Sequence, residues 1–267
     1  MRPRALLPAL LLAGCAAMPP GTVGIPAPGL MLQAQYVQPT APTAPAVIAL
    51  HGCGGPFPAR DTPWRELLVQ AGHPVVSPNS FASRGLGSQC KTPSPAVSPS
   101  RERRADAVAA AEWLAVQPGT PPGGAVVLGW SNGGSTTLAA AGEGVMPPGL
   151  VRGYVALYPG CRGVLERGTW SPAAPILIVM GEDDDWTPAA PCRALAARFP
   201  GQITLVLYPG AYHDFDQPNR PVVIRTGLAF TANGDGTAHD GTNEAARAAA
   251  FELVPRWIAA LPPAHVN

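Results

Sequence analysis

The sequence predicts an α/β fold: a mainly parallel sheet with helices on both faces. Three observations carry that prediction. Short β-rich apolar runs recur along the chain, helical patterns lie between them, and most of the runs are continuously apolar rather than alternating. Strand and helix in alternation build a parallel sheet, and unbroken apolar strands suit a sheet buried on both faces. At 267 residues, 46% of them hydrophobic, the chain fits one large domain better than two small ones. Only 13% of residues are charged, and there are 34 Pro and 30 Gly. That content lies just under the range where disorder becomes the default, but the apolar share supports a core. The expectation is an ordered core joined by Pro-rich loops.

Taken in order, residues 1–14 begin with Arg2 and Arg4 and continue as a short apolar run from Ala5 to Ala13. The run is too short to span a bilayer and has the form of a secretory signal. It ends Leu12-Ala13-Gly14-Cys15, which resembles the bacterial lipobox, where the signal is cut before a Cys that is then lipidated. Cys15 is thus the expected lipid attachment site, and several acyl chains on one residue anchor stably where one would not. By resemblance to other lipoproteins, Ala16 after the Cys implies an outer-membrane anchor and a periplasm-facing protein. Loss of residues 1–14 would change the formal net charge from +1 to −1. Residues 15–45 read as a tether plus an edge segment, largely disordered, and 46–262 as the folded domain.

Strands are expected at 46–50, 74–77, 125–129, 153–157, 176–180 and 203–208. Helices are expected at 62–71, 101–116, 132–141, 189–199 and 244–260; the second is stopped by Pro118. The segments 79–100 and 214–243 are long, polar loops expected at the mouth of a pocket; the alternative for the second is a surface excursion with a short hairpin around Asn233-Gly234-Asp235-Gly236. Ligands of such sheets bind at the carboxyl ends of the strands.

Chemistry concentrates there. Gly129-Trp130-Ser131-Asn132-Gly133 is a G-x-S-x-G motif between a strand and a small-residue helix, the setting a nucleophile elbow requires. The tight turn admits only small neighbours at 129 and 133 and lifts the Ser131 hydroxyl above the sheet, beside the positive end of a new helix. A serine hydroxyl needs a base. Of the five His, only His213 follows a late strand, where the α/β-hydrolase chain order Ser, Asp, His puts it. The acid belongs between them, in Glu182-Asp183-Asp184-Asp185; Asp184, third after Gly181, is favoured, with Asp183 and Asp185 as solvated or helix-capping residues. His51-Gly52-Cys53-Gly54-Gly55 follows the first core strand, so a backbone N–H of Cys53, or less firmly Gly54, would face the site beside that of Asn132 to form an oxyanion hole. Trp130 and Arg84 are the candidate substrate contacts.

In an exported protein, Cys53, Cys90, Cys161 and Cys192 are an even set in an oxidising compartment. Three pairings are possible; Cys53–Cys90 and Cys161–Cys192 are favoured, because each pair would lie on loops after neighbouring strands. A bridge at Cys53 would stiffen the oxyanion loop.

Together these segments resemble the dienelactone hydrolase family of α/β hydrolases, from about residue 46 to 260. The resemblance rests on His51–Gly55, Pro78–Arg84, the Arg103–Leu114 helix, Gly129–Gly134, Gly181–Pro188 and Tyr208–Phe215. It implies the α/β-hydrolase fold, Asp184 as the acid and Cys53 as the oxyanion donor. Two features depart from the family pattern. The name-giving enzymes use a Cys nucleophile where this chain has Ser131. They also bind a substrate carboxylate with two Arg; Arg84 falls near one of those positions, whereas Arg220 comes several residues too late for the other. The expectation is therefore hydrolysis of a small-molecule carboxylic ester through an acyl-enzyme, without metal or cofactor. Acyl transfer to another alcohol and a catalytically silent binding role in the cell envelope are the rival readings. With one Lys, no basic patch and no charge run, nucleic-acid binding has little support.

Overall fold

A computed structural model describes residues 21–264. The chain runs β1 (Thr22–Ala27), β2 (Leu30–Val37), β3 (Val47–Leu50), α1 (Pro58–Gln70), β4 (Val75–Pro78), α2 (Glu102–Ala115), β5 (Ala125–Trp130), α3 (Asn132–Ala140) and β6 (Val151–Leu157). It continues through α4 (Arg162–Leu165), β7 (Ile176–Gly181), α5 (Ala189–Arg198), β8 (Ile203–Tyr208), β9 (Val223–Arg225), β10 (Ala238–Asp240) and α6 (Glu244–Ala259). Eight strands form one sheet in the order β1-β2-β4-β3-β5-β6-β7-β8. β2 is antiparallel to both of its neighbours, and every other pair is parallel.

The unbroken apolar runs behave as their composition requires. β3, β5 and β7 are buried at every position, so layers cover both faces of the sheet. Helices α1 and α6 pack together, as do α2 and α3. The strand positions 46–50, 74–77, 125–129, 176–180 and 203–208 hold to within a residue, and β6 begins two residues earlier than expected.

The N-terminal segment and the start of α1 differ from the sequence reading. Residues 22–37 form an ordered antiparallel hairpin, so the expectation of disorder to residue 45 is corrected. Its second strand alternates, with Leu32 and Ala34 buried and Met31 and Gln33 exposed, and this half-buried pattern lacks the continuous apolar run of the other strands. Helix α1 starts at Pro58 rather than Thr62; Pro suits a first helical turn. The added turn carries Arg60, which is 3% exposed. The excursion 214–243 contains the β9–β10 pair, which closes a loop around residues 233–236. Both disulfides, Cys53–Cys90 and Cys161–Cys192, are present with the favoured pairing. Cys15 lies outside the described residues. Among the described residues no helix is long and apolar enough to cross a membrane.

Candidate active site

The site lies at the carboxyl ends of β3, β5, β7 and β8. After Trp130 the chain turns straight into α3 through Ser131, whose backbone sits at φ 54° and ψ −116°. A non-glycine residue in that region is strained and persists only where its surroundings hold it. Here the Ser131 N–H donates to the Leu157 carbonyl at 2.9 Å and the Ser131 carbonyl accepts from the Ser135 N–H at 2.8 Å. The turn is also tight. A Cβ at Gly133 would stand 2.0 Å from the Leu50 carbonyl oxygen, and one at Gly129 would stand 2.3 Å from that of Gly133. The motif's glycines are therefore required by close backbone approach.

His213 follows β8 and is 1% exposed. Its Nε2 lies 2.9 Å from the Ser131 Oγ and its Nδ1 2.8 Å from the Asp184 Oδ2. A carboxylate accepts only, so Nδ1 carries the proton and the Nε2 lone pair faces the serine hydroxyl. Asp184 is held in turn: its Oδ1 accepts from the backbone N–H groups of Trp186 (2.9 Å) and Thr187 (2.8 Å). The Thr187 hydroxyl reaches the Asp184 Oδ2 at 2.9 Å and lies 3.1 Å from the imidazole. The Tyr158 and Trp186 rings flank His213, with centroids 4.8 and 4.7 Å away. Burial alone lowers the basicity of this imidazole. The charge and hydrogen bond of Asp184, aided by Asp214 and Asp240, outweigh it and leave the His213 pKa above its ordinary value.

The three adjacent aspartates take separate parts. Asp184 joins His213, while Asp183 is exposed. Asp185 is one-third exposed but is not merely a solvated or helix-capping residue, which corrects the sequence reading. It accepts from the backbone N–H of His239 at 2.8 Å and lies 2.7 Å from the His239 Nδ1, fastening the 214–243 excursion to the acid loop.

The loop after β3 comes up against the elbow, so that a Cβ at Gly52 would lie 3.6 Å from the Ser131 Cβ. Cys53 lines the pocket beside Ser131. Asn132 is the first residue of α3, and its N–H has no intrahelical acceptor. The pocket is open, about 220 Å³, and is walled by residues 52–57, Arg60, Ser88, Cys90, Trp186, Asp214, Gln217, Arg220 and Arg225. Among the described residues no group of three or more His, Cys, Asp or Glu is placed to hold a metal ion.

The two candidate substrate contacts are placed elsewhere. Arg84 makes a bidentate pair with the buried Asp106, at 2.9 and 2.8 Å, and donates to the Ser80 carbonyl, so its guanidinium braces a loop and does not line the pocket. Trp130 is 2% exposed and donates its indole N–H to Asp216 at 3.0 Å, beneath the Arg60 guanidinium. The arginines that do reach the pocket are Arg60, Arg220 and Arg225. Arg220 and Arg225 share the buried Asp240, at 2.9 and 3.1 Å, and Arg60 pairs with Asp61 at 2.7 Å and Asp214 at 3.5 Å. Arg220 lines the pocket although it comes several residues later than the family's second Arg position. Arg60 carries no sequence signal, because the helical pattern begins only at Thr62.

The model of the dienelactone hydrolase family matches residues 32–261. This chain belongs to the dienelactone hydrolase family. Solved structures agree at the level of fold. A Klebsiella pneumoniae protein provisionally assigned as a dienelactone hydrolase superposes with a TM-score of 0.68 at 18% identity, over 90% of this chain and 98% of that one. Dienelactone hydrolase from Anabaena variabilis gives 0.63 at 20%, over 90% and 96%. Thermogutta terrifontis esterase 2, solved as phosphoramylated by tabun, gives 0.62 at 18%, over 90% and 94%. No curated protein sequence matches the chain significantly. Within this hydrolase family, position 131 of this chain is Ser, and Arg60, Arg220 and Arg225 line its pocket.

Proposed function

We propose that this family member is a serine-dependent carboxylic-ester hydrolase that works through an acyl-enzyme. One observation carries the reading: the unbroken chain from the Ser131 Oγ to the His213 Nε2 and from the His213 Nδ1 to Asp184, at 2.9 and 2.8 Å, opening on a pocket. His213 takes the Ser131 proton as the Oγ attacks the ester carbonyl, and Asp184 stabilises the imidazolium that forms. The carbonyl oxygen gains negative charge and accepts hydrogen bonds donated by the N–H groups of Cys53 and Asn132, beside the positive end of α3. His213 then protonates the leaving alkoxide. Water, activated by the same imidazole, attacks the acyl group and frees Ser131.

The test is covalent labelling with a fluorophosphonate probe, with p-nitrophenyl ester turnover measured alongside. The expected result is a single adduct on Ser131, absent in Ser131→Ala. Folded wild-type protein that neither labels nor turns over esters would sink the reading.

The protein is further proposed to be an envelope lipoprotein anchored through Cys15. Two disulfides in a chain with a lipobox-like start support an oxidising compartment. Expressed in a bacterium with an outer membrane, the wild type should fractionate with membranes and Cys15→Ser should not. Equal partitioning of the two would refute the anchor.

A further inference from the structure

Arg103, in the first turn of α2, is 1% exposed. One of its terminal nitrogens donates to the His51 carbonyl at 2.7 Å, and the other donates to the Asn132 side-chain oxygen. Its guanidinium lies 5.1 Å from the centre of the Phe81 ring, and its Nε has no partner. Asp106, the acid that acts on it electrostatically, is already gripped by both terminal nitrogens of Arg84. Arg103 is thus a buried cation whose hydrogen-bond acceptors are neutral oxygens. Burying such a charge is costly. Burial and the neighbouring Arg84 cation pull its pKa down to about 9, which still leaves it charged at neutral pH.

What it touches gives the cost a purpose. His51 begins the loop that carries Cys53, and Asn132 begins α3. The two proposed oxyanion donors sit on separate elements, and Arg103 bridges them from a third. The loop end is otherwise held by the His51 ring, which lies 2.8 Å from the Gly52 carbonyl through Nδ1 and accepts from the Ser80 N–H through Nε2 at 3.2 Å. That pattern fixes the neutral Nδ1–H tautomer, and burial together with Arg103 keeps the ring uncharged. A planar guanidinium with two forked donors is suited to setting a distance between two acceptors.

We propose that Arg103 is a positioning residue of the oxyanion hole: it ties the His51 carbonyl to the Asn132 side chain, sets the spacing of the Cys53 and Asn132 N–H groups, and adds a weakly screened positive charge behind them. The inference rests on the esterase reading. It predicts a defect in transition-state stabilisation rather than in substrate binding.

The experiment compares wild type, Arg103→Met and Arg103→Lys in p-nitrophenyl ester turnover and in inhibition by a trifluoromethyl ketone, whose hydrated or Ser-bound form mimics the oxyanion. Removing one oxyanion donor elsewhere costs about 100- to 1,000-fold in kcat. Arg103→Met is expected to lose about 100-fold in kcat with KM within about threefold of wild type, and its ketone Ki should rise in step with the loss of kcat. Arg103→Lys keeps the charge but not the fork, and should recover about tenfold of that loss. The acid limb of the pH profile, which belongs to His213, should not move. Folded Arg103→Met within about threefold of wild type in kcat would overturn the proposal. So would a fall in kcat with no change in ketone affinity. If Arg103→Met does not fold, Arg103→Lys decides by the same two readings. A wild type without turnover would overturn the esterase reading and this inference with it, whereas an active wild type with unaffected variants overturns this inference alone.

Discussion

At Ser131, φ of 54° and close-packed glycines at 129 and 133 show local geometry being forced by tertiary contacts. Gly133→Ala would drive a methyl to 2.0 Å from the Leu50 carbonyl. The expected result is loss of soluble folded protein, or a Tm lowered by more than about 8 °C, at roughly 2–4 °C for each kcal/mol in a domain of this size. A Tm within a few degrees of wild type would contradict it. His213 yields a pH prediction with a defined sign. Protonated His213 cannot accept the Ser131 proton, so kcat/KM should fall as pH drops through the pKa of the folded enzyme. Because Asp184 raises that pKa, the limb should centre above the ordinary imidazole value near 6.5. Asp184→Asn removes the stabilising charge while burial remains. It should lower kcat by about 10⁴-fold and move the residual limb to lower pH. An unmoved limb would mean that Asp184 does not act on His213.

At the scale of elements, the loop after β3 is bridged by Cys53–Cys90, across 37 residues of chain. Cys90 accepts from the Ala229 N–H through its carbonyl, and Cys53 accepts from the Gln89 N–H at 2.7 Å, so the bridge joins the loop after β3 to the 214–243 excursion. Cys161–Cys192 spans a similar 31 residues but lies away from the pocket lining. Loss of either bridge is expected to cost about 3–4 kcal/mol by chain entropy. Only Cys53→Ser/Cys90→Ser should also lose kcat, by about tenfold or more, because a loosened loop misplaces an oxyanion donor. Chemical denaturation and ester kinetics on both double variants separate the effects; equal kcat losses would remove the special role of the first bridge.

At the scale of the whole molecule, Asp216 is fully buried and accepts from the indole N–H groups of Trp64 (2.7 Å) and Trp130 (3.0 Å) and from the Tyr158 hydroxyl (2.7 Å). It joins α1, the end of β5, the end of β6 and the His213 loop in one knot. Asp216→Ala would strand three buried donors. At about 1 kcal/mol or more for each, the expected loss is at least about 3 kcal/mol, or roughly 6–12 °C in Tm. A change under 2 °C would show that water replaces the carboxylate at no cost. Much of this molecule was legible in its sequence. Buried strands announce themselves by unbroken apolar runs, and the elbow, the late Asp cluster and His213 stand in the Ser, Asp, His order of α/β hydrolases. The hairpin at 22–37 was faint because half-buried strands alternate. The roles of Arg60, Arg103 and Asp216 were silent, because a charged residue on a helix or loop reads as solvated until its neighbours are known. The sequence by itself determined the sheet, the order of its strands' catalytic loops and the residues able to form a Ser, His, Asp relay. Only the tertiary structure decided which aspartate faces the imidazole, which arginines reach the pocket and which buried charge stands behind the elbow. Those choices depend on contacts between residues dozens of positions apart, and local periodicity carries no information about them.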